Sequence, residues 1–337
     1  MVRREIGNNI RSIVIVAVIA GLLYPVISSI MPGWEVMLTY GIILAIAALG
    51  FNLLFNYTGL LSFGHAAFVG LGAYAVGLSV KYIGLRILEV QVLIGVLLSA
   101  LLALIVGFIA VRYRGIFFAI LMLVTAQILW GFYVKFYHIT GGTDGIRIPR
   151  PTLFFIYDTT GLGYHAFNMV YHYYALLWFT VLAIIMWYIV NSPFGYTLRV
   201  IKDAETRAVA LGVNVDRYRL LALVISAIYA GIAGALYAPI NRLVTPDLAY
   251  WTLSGKIVFM SILGGTMYFL GPIIGALTYV YLETIAQRIT IYWYLILGIT
   301  IIAIMFFMPR GLLGLTELEG FKKMARLFSA LRLQFKL

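Results

Sequence analysis

Seven long apolar segments constrain the fold of this 337-residue chain more than any other feature of its sequence. They cover residues 12–31, 36–56, 88–111, 115–139, 171–190, 218–240 and 292–308. A helix of roughly 20 apolar residues is long enough to cross the hydrocarbon core of a bilayer. The segments therefore predict an integral membrane protein built from membrane-spanning helices.

The composition excludes a soluble protein. Hydrophobic residues make up 63% of the chain and charged residues 11%, whereas soluble domains average about 45–50% and about 25%. So little polar surface excludes a cytosolic enzyme, a nucleic-acid-binding domain and a disordered chain. The chain has no cysteine, and its four histidines show no metal-ligand spacing, so we expect neither a metal site nor a cofactor.

Three weaker apolar segments complete the predicted architecture. The segment over 62–80 is rich in Gly and Ala, the segment over 254–265 is short for a membrane span, and the segment over 272–287 includes an acidic side chain. We predict an all-α integral membrane protein, a polytopic bundle of about ten transmembrane helices with interruptions. Eight crossings plus re-entrant segments are the alternative. This domain covers residues 1–315, and its first apolar segment is too long for a typical signal peptide, so we expect a retained helix.

The distribution of basic residues predicts the orientation. The net charge is +12, and about two-thirds of the 24 Lys and Arg residues fall on the two termini and on loops expected on the same side. Basic residues accumulate in cytoplasmic loops, so both termini are expected in the cytoplasm. The tail over 316–337 mixes apolar and basic residues, which predicts an amphipathic helix lying on membrane lipids. A partner-docking role is the alternative for this tail.

Polar residues and glycines interrupt the apolar pattern at the end of the second segment. These residues are Asn52, Asn56, Thr58, Gly59, Ser62, Gly64 and His65. An interrupted helix exposes backbone groups and helix ends that can replace water around a polar solute, so the pattern indicates a transport pathway. The alternative is that these polar groups hold neighbouring helices together.

A second interruption lies in the C-terminal half of the chain. Gly264 and Gly265 precede a short apolar stretch, and Pro272, which cannot donate a backbone hydrogen bond, follows it. Two glycine-interrupted segments in the two halves of a chain point to a transport pathway. Gln127 adds a further polar side chain to this candidate pathway.

Ionisable residues within the apolar segments are few. Glu283 is the acidic residue expected deep in a helix, and Arg288 is its candidate partner. Such scarcity argues against coupling to an ion gradient, and the sequence contains no GxxxxGK[ST] phosphate-binding loop. Energy must therefore arrive through another subunit. The strongly charged loop over 191–219 predicts a short helix that a motor subunit could push, with an ordinary solvated loop as the alternative.

Several longer motifs resemble one family. They are YTGLLSFGHAAFVGLGAY, RYRGIFFAILMLVTAQIL, TGGTDG, AETRAVALGVNVDRYRLLALVISAIYAGIAGALYA, SILGGTMYFLGPIIGA and MPRGLLGL, in this order over 50–315. These motifs are similar to those of the M-type (LivM-like) permease subunits of branched-chain amino acid ABC importers. The resemblance implies an H-type permease partner, two ATP-binding ATPase subunits and an external or periplasmic substrate-binding protein. It also implies the plasma membrane of a prokaryote.

The resemblance further implies a coupling helix over 203–214 that contacts an ATPase subunit. The residues carried over are Asp203, Ala204, Glu205, Arg207, Ala208, Leu211 and Gly212. The acidic residue and the glycine of the family's EAA-like motif correspond to Glu205 and Gly212.

The function expected from this resemblance is that of one permease subunit and not of an enzyme. The chain is expected to form half of a pathway for branched-chain amino acids that works by alternating access. Related permeases import urea or short amides, so these substrates stay open. A stand-alone secondary carrier and a membrane enzyme acting on lipids are the alternatives from other functional classes.

Overall fold

The computed structural model describes residues 2–317 of the chain, with side chains over 10–314. The amphipathic helix predicted over 316–337 falls almost entirely outside the described residues. Within them the chain forms thirteen α-helices. These are α1 (Val2–Ile30), α2 (Glu35–Asn52), α3 (His65–Ile83), α4 (Leu88–Ala110), α5 (Ile116–Lys135), α6 (Tyr137–Thr140), α7 (Tyr164–Val190), α8 (Pro193–Asp203), α9 (Glu205–Ala210), α10 (Val215–Asn241), α11 (Trp251–Gly264), α12 (Gly271–Ile289) and α13 (Trp293–Phe307).

Eight of the helices in the described part are long and apolar enough to cross a membrane. They are α1 to α5, α7, α10 and α13. Every one of the seven clear apolar segments forms one of these helices, and the weaker segment over 62–80 forms the eighth, α3. The other two weak segments form α11, which has only 14 residues, and α12, which has 19. The prediction of an all-α polytopic membrane protein is confirmed.

α10 lies at the centre of the bundle and packs against α2, α3 and α4. Close approach of α10 and α3 depends on glycines. A Cβ on Gly72 of α3 would overlap the carbonyl of Gly231, and a Cβ on Gly234 would overlap the carbonyl of Val69. Small residues let helix backbones approach this closely, and in a bilayer such packing matters because the hydrophobic effect does not drive helices together.

α11 begins part-way along α3. The Ser254 hydroxyl accepts a hydrogen bond from the backbone N–H of Ala66 at 2.9 Å, and Ala249 lies against Gly70, one helical turn further along α3. The chain arrives there from β4 (Leu243–Val244) through the 3₁₀ turn Pro246–Ala249, running antiparallel to α3. This non-α-helical stretch supplies the length that α11 lacks, because it runs along α3 before α11 begins.

Short strands cover one end of the bundle, and most of them lie in the connection between α6 and α7. β1 (Ile146–Arg147) pairs with β4, and β2 (Thr152–Leu153) pairs with β3 (Tyr157–Asp158). The TGGTDG motif closes the end of α5, because the Thr140 hydroxyl donates to the carbonyl of Tyr133 at 2.6 Å. We call this the hairpin end of the bundle, and the opposite end, which carries α8 and α9, the coupling end.

Candidate functional site

The charged loop forms two short helices that meet at one residue. Ser192 caps α8, because its hydroxyl accepts the N–H of Gly195 at 3.4 Å, and Pro193 occupies a first-turn position where no backbone donor is needed. Ala204 separates α8 from α9, since its φ of −151° is extended and not helical. α9 can therefore leave the axis of α8 at this residue.

Glu205, the first residue of α9, is bound by two arginines from distant parts of the chain. Arg219 of α10 donates from both guanidinium Nη atoms to the two carboxylate oxygens, at 3.1 and 2.9 Å. Arg114, in the loop between α4 and α5, lies 2.5 Å from Oε1. The side chain of Arg219 is 6% exposed and that of Glu205 18% exposed. This bidentate pairing fixes the orientation of both groups and connects α9 to α10 and to the α4–α5 loop.

A small apolar cluster supports α9 on a second side. Ala208 packs against Ile201 of α8 and Val215 of α10, and all three side chains are buried. Val209 and Leu211, which follows the last residue of α9, are 57% and 79% exposed. α9 is therefore fastened to the bundle through Glu205 and Ala208, while these two apolar side chains remain exposed.

Gly212 ends α9 in a conformation that suits glycine. Its φ is +81°, a region that residues with a Cβ seldom adopt. The N–H of Gly212 donates to the carbonyl of Val209, and the N–H of Val213 donates back to that of Ala208 at 3.0 Å. These bonds turn the chain sharply from α9 into α10.

The seven predicted coupling residues divide into two groups by position. Glu205 and Ala208 attach α9 to the bundle, and Ala204 sets its direction. The exposed group consists of Asp203, Arg207, Leu211 and Gly212. A role in contact with another subunit stays a prediction for these residues.

The first predicted interruption begins with a π-helical turn, Leu53–Tyr57, at the end of α2. The Asn56 carbonyl accepts a hydrogen bond from Lys202 Nζ of α8 at 2.9 Å. The Thr58 hydroxyl donates back to the Leu54 carbonyl at 2.5 Å. π-helical turns are rare and are frequently found at functional sites. This one lies directly beside α8, so the interruption and the coupling helices share one end of the bundle.

Beyond the π turn the chain folds back between the helices. The Ser62 hydroxyl accepts the N–H of Gly64 at 3.3 Å, and a Cβ on Gly64 would overlap the carbonyl of Met122 in α5, so the position needs glycine. α3 then begins at His65, which is fully buried and has Nε2 2.7 Å from the hydroxyl of Ser226 in α10. His65 therefore ties the start of α3 to the central helix.

Three predicted pathway residues keep unpaired polar atoms inside the bundle. Oδ1 of Asn52, Nδ1 of His65 and Nε2 of Gln127 are buried and have no hydrogen-bond partner among the described residues. Buried polar atoms in proteins are almost always paired with protein groups or ordered water. The three atoms thus lack the partner that such groups normally have, and contact with cargo stays a prediction.

The second interruption is the turn between α11 and α12. A Cβ on Gly264 would overlap the carbonyl of Gly271, and Gly265 has a φ of +104° with the Arg310 carbonyl against it. Pro272 occupies the first turn of α12, where it breaks no helical hydrogen bond. Glycine and proline at these positions therefore make a tight turn.

The structure brings the two interruptions to the same end of the bundle. A cleft of about 410 Å³ is lined by Tyr57, from the π turn, by Arg199 of α8 and by Met267 to Leu270 of the α11–α12 turn. Sequence reasoning placed both interruptions on one pathway but did not place them beside the coupling helices.

Glu283 pairs with Lys256, so the expected pairing with Arg288 is wrong. Lys256 Nζ of α11 lies 2.5 Å from Glu283 Oε1. The Arg288 guanidinium instead lies over the ring of Trp34, 4.4 Å from its centroid. Residues five apart point about 140° away from each other around a helix of 3.6 residues per turn, so Arg288 cannot face the same neighbour as Glu283.

Sequence reasoning missed the residues that pair with Glu205, His65, Glu283 and the backbone of Ala66. They are Arg114, Arg219, Ser226, Ser254 and Lys256. Each lies on a different element from the group it contacts, and an isolated serine in an apolar segment is the one signal that could have drawn attention to Ser226 and Ser254.

Across residues 2–317, no group of three or more His, Asp or Glu side chains is placed to hold a metal ion.

Comparison with known proteins decides the family. A family model described as "Branched-chain amino acid transport system / permease component" matches residues 33–305. The chain belongs to this family. The region that matches this permease family runs from α2 into α13 and includes both interruptions, α8 and α9.

Individual relatives agree with the permease family. The high-affinity branched-chain amino acid transport system permease protein LivM of Salmonella typhimurium is 30% identical over 296 residues, which is 83% of this chain and 69% of the relative. The corresponding LivH protein of Salmonella typhimurium is 25% identical over 309 residues, 83% of this chain and 94% of the relative. The guanosine ABC transporter permease protein NupQ of Bacillus subtilis is 27% identical over 162 residues, 46% of this chain and 49% of the relative. No solved structure matches the chain.

Proposed function

We propose that this permease is one membrane subunit of an ABC importer and forms half of a translocation pathway for branched-chain amino acids. The observation that carries the proposal is the 30% identity to LivM over 83% of the chain. An H-type permease completes the pathway, two ATPase subunits supply energy, and an external substrate-binding protein delivers the solute. The proposed location is the plasma membrane of a prokaryote.

In this proposal α9 receives the movement of an ATPase subunit. Glu205 passes that movement to α10 through Arg219 and to the α4–α5 loop through Arg114. α10 in turn contacts α2, α3 and α4, and Lys202 of α8 is bonded to the Asn56 carbonyl at the first interruption. A displacement of α8 and α9 therefore reaches the helices that flank the interruption, as alternating access requires.

The pathway in this proposal is lined by weak, mostly uncharged groups. Polar groups replace water around the solute during passage. They are the unpaired atoms of Asn52, His65 and Gln127 and the backbone groups of the non-helical segment around Thr58 and Ser62. Gly264, Gly265 and Pro272 form the turn at which the two interruptions meet the coupling helices. Such a path has low affinity, so selectivity rests on the external binding protein.

One observation favours a second candidate function. NupQ, named as a guanosine permease, is 27% identical to this chain over 46% of its length. Import of a different small polar solute by the same coupling arrangement is therefore the alternative, and urea and short amides belong to it.

The test is to purify the chain with its companion subunits and to measure uptake in proteoliposomes. We expect leucine uptake that requires both ATP and the external binding protein. Isoleucine and valine should compete with leucine and reduce its uptake. Uptake of guanosine or urea without uptake of leucine would favour the second candidate. Uptake by this chain alone, driven by an ion gradient, would overturn both.

A further inference from the structure

The β2–β3 hairpin ends in four consecutive exposed apolar residues. They are Phe154, Phe155, Ile156 and Tyr157, with exposed fractions of 53%, 61%, 89% and 46%. Hairpin tips that face water are usually built from Gly, Asn or Asp, which suit the tight backbone and the solvent. An apolar tip of this size indicates that its surroundings are apolar.

The backbone of this tip is held in an unfavourable conformation. Phe154 and Phe155 have φ values of +51° and +62°, a region that bulky residues other than glycine rarely adopt. The Phe154 N–H donates to Glu89 Oε1 of α4 at 2.6 Å, and the Thr152 N–H donates to the Arg86 carbonyl at 2.8 Å. Strain of this kind persists where surrounding contacts fix it, and it often marks a functional position.

The tip lies beside the N-terminal half of α7 and against the first turn of α4. The Phe154 ring is 5.1 Å from the ring of Tyr174 in α7, and the Tyr174 hydroxyl donates to the same Glu89 oxygen at 2.9 Å. Tyr174 is ten residues from the start of α7, which corresponds to about 15 Å along the helix at 1.5 Å per residue. It belongs to the apolar segment over 171–190, so the hairpin reaches the depth at which that segment meets lipid.

An apolar cleft continues this surface below the hairpin. The cleft has a volume of about 220 Å³ and is lined by Glu89, Phe154, Tyr174, Leu177, Trp178 and Val181. Exposed apolar side chains extend from the cleft along both helices, among them Leu93 and Leu97 of α4 and Ile185 of α7. Exposed apolar side chains therefore lie on the tip, along most of the cleft and on the adjoining parts of α4 and α7.

We propose that the tip (154–157) and the cleft beneath it form a phospholipid-binding anchor at the hairpin end. The tip inserts at the boundary between headgroups and acyl chains, and the cleft holds part of one acyl chain. The base of the hairpin stays in water. There the Thr160 N–H and hydroxyl donate to Asp158 and hold the pKa of this exposed carboxyl below its ordinary value, so it remains charged.

The absence of cysteine from the chain allows a direct test of the tip. Ile156→Cys carries bimane as a single label in the full chain, reconstituted in bilayers of phosphatidylcholine. Quenching is compared for lipids brominated at carbons 6 and 7, for lipids brominated at carbons 11 and 12, and for aqueous iodide. Ile105→Cys, 61% exposed within α4, is the lipid-facing control, and Gly161→Cys, which has open space around it, is the water-facing control.

We expect the label at position 156 to be quenched at least twofold more by the shallow bromines than by the deep ones, and little by iodide. Quenching by iodide alone, as at position 161, would overturn the proposal. Protection from every quencher in the purified complex would also overturn it, because a protein then covers the tip.

A second measurement tests the cleft. Val181→Trp fills the cleft, whereas Leu97→Trp places an indole ring on the exposed surface of α4 outside it. We expect native mass spectrometry to show that V181W loses a retained phospholipid that the wild type and L97W keep. Equal lipid retention by all three proteins would contradict the assignment of the cleft.

Discussion

Among single residues, Glu205 connects separate parts of the chain through its side chain. Its carboxylate accepts hydrogen bonds from Arg219, which is almost fully buried, and lies against Arg114, which is exposed. A buried guanidinium left without its carboxylate costs more free energy than the pair itself contributes. Glu205 is thus needed for the stability of the α9–α10 junction as well as for any transmission of movement.

We predict that Glu205→Gln lowers the free energy of unfolding by about 2 kcal/mol, because the buried Arg219 loses its charged partner while one hydrogen bond is retained. Thermal unfolding of the purified chain measures the change. In the proposed importer we also expect ATP hydrolysis to continue while uptake falls at least tenfold. Asp216→Asn removes an exposed charge from the adjoining helix start and serves as the control. If the two variants behave alike, Glu205 has no special role.

A second prediction concerns the ion pair between Lys256 and Glu283, whose side chains are 25% and 14% exposed. Glu283→Gln is expected to destabilise the α11–α12 packing by about 1–3 kcal/mol, since partial exposure lessens the penalty of an unpaired lysine. The exchanged double variant Lys256→Glu/Glu283→Lys should recover most of that loss in a thermal melt. Lys135→Gln, at the exposed end of α5, should change little. Additive losses in the double variant would argue that the contact is not energetically coupled.

Between elements, the glycines of α3 and α10 set how near the central helices approach. The carbonyl of Gly231 occupies the space that a Cβ on Gly72 needs, whereas no atom of the described residues lies within 4 Å of a Cβ placed on Gly131 of α5. The two glycines look equivalent in the sequence, since both fall inside apolar segments. Only the first is required by a neighbouring backbone.

Gly72→Ala and Gly131→Ala form a matched pair that tests this difference. We predict that G72A loses about 1–3 kcal/mol, because the helices must separate to admit a methyl group. G131A should be neutral or up to about 1 kcal/mol more stable, because alanine favours the helix over glycine. Thermal unfolding in detergent measures both variants. Equal melting temperatures would show that close packing of α3 and α10 does not limit stability.

The elements were predictable to different degrees. The seven clear apolar segments became helices because lipid leaves the backbone no partner except itself, and this holds wherever the chain is apolar for long enough. The π turn at Leu53–Tyr57 and the 3₁₀ turn at Pro246–Ala249 carry no such signal. Both turns depend on contacts with a neighbouring helix. An example is the hydrogen bond that the N–H of Ala66 in α3 donates to the Ser254 hydroxyl, close to the 3₁₀ turn. The short strands β1 and β4 likewise form only because residues about a hundred positions apart become neighbours.

For the whole molecule, the orientation in the bilayer and the number of crossings remain predictions. The structure places the charged helices α8 and α9 at one end and the strands at the other. The α11–α12 turn, with Met267 77% exposed, lies at the coupling end. Ten crossings require this turn to be open to the cytoplasm, whereas a re-entrant pair would leave it within the membrane.

Single cysteines introduced into the cysteine-free chain test the arrangement in intact cells with a membrane-impermeant maleimide. We predict labelling of Gly161→Cys from outside, and labelling of Leu211→Cys and Met267→Cys only after the cells are opened. Labelling of L211C in intact cells would invert the orientation. Failure to label M267C after opening, with L211C labelled, would favour eight crossings plus re-entrant segments.

The sequence by itself determined the class of this protein and most of its helices, because twenty apolar residues in lipid have one stable backbone arrangement. Through its motifs it also indicated the family that the later match over 33–305 established. Only the tertiary structure decided which polar groups are paired. It joined Glu205 to Arg219 and Arg114 and paired Glu283 with Lys256 and not with Arg288. It also left atoms of Asn52, His65 and Gln127 without a hydrogen-bond partner among the described residues. Pairing depends on the distance between side chains of different helices, and that distance is set by packing, which no local pattern records.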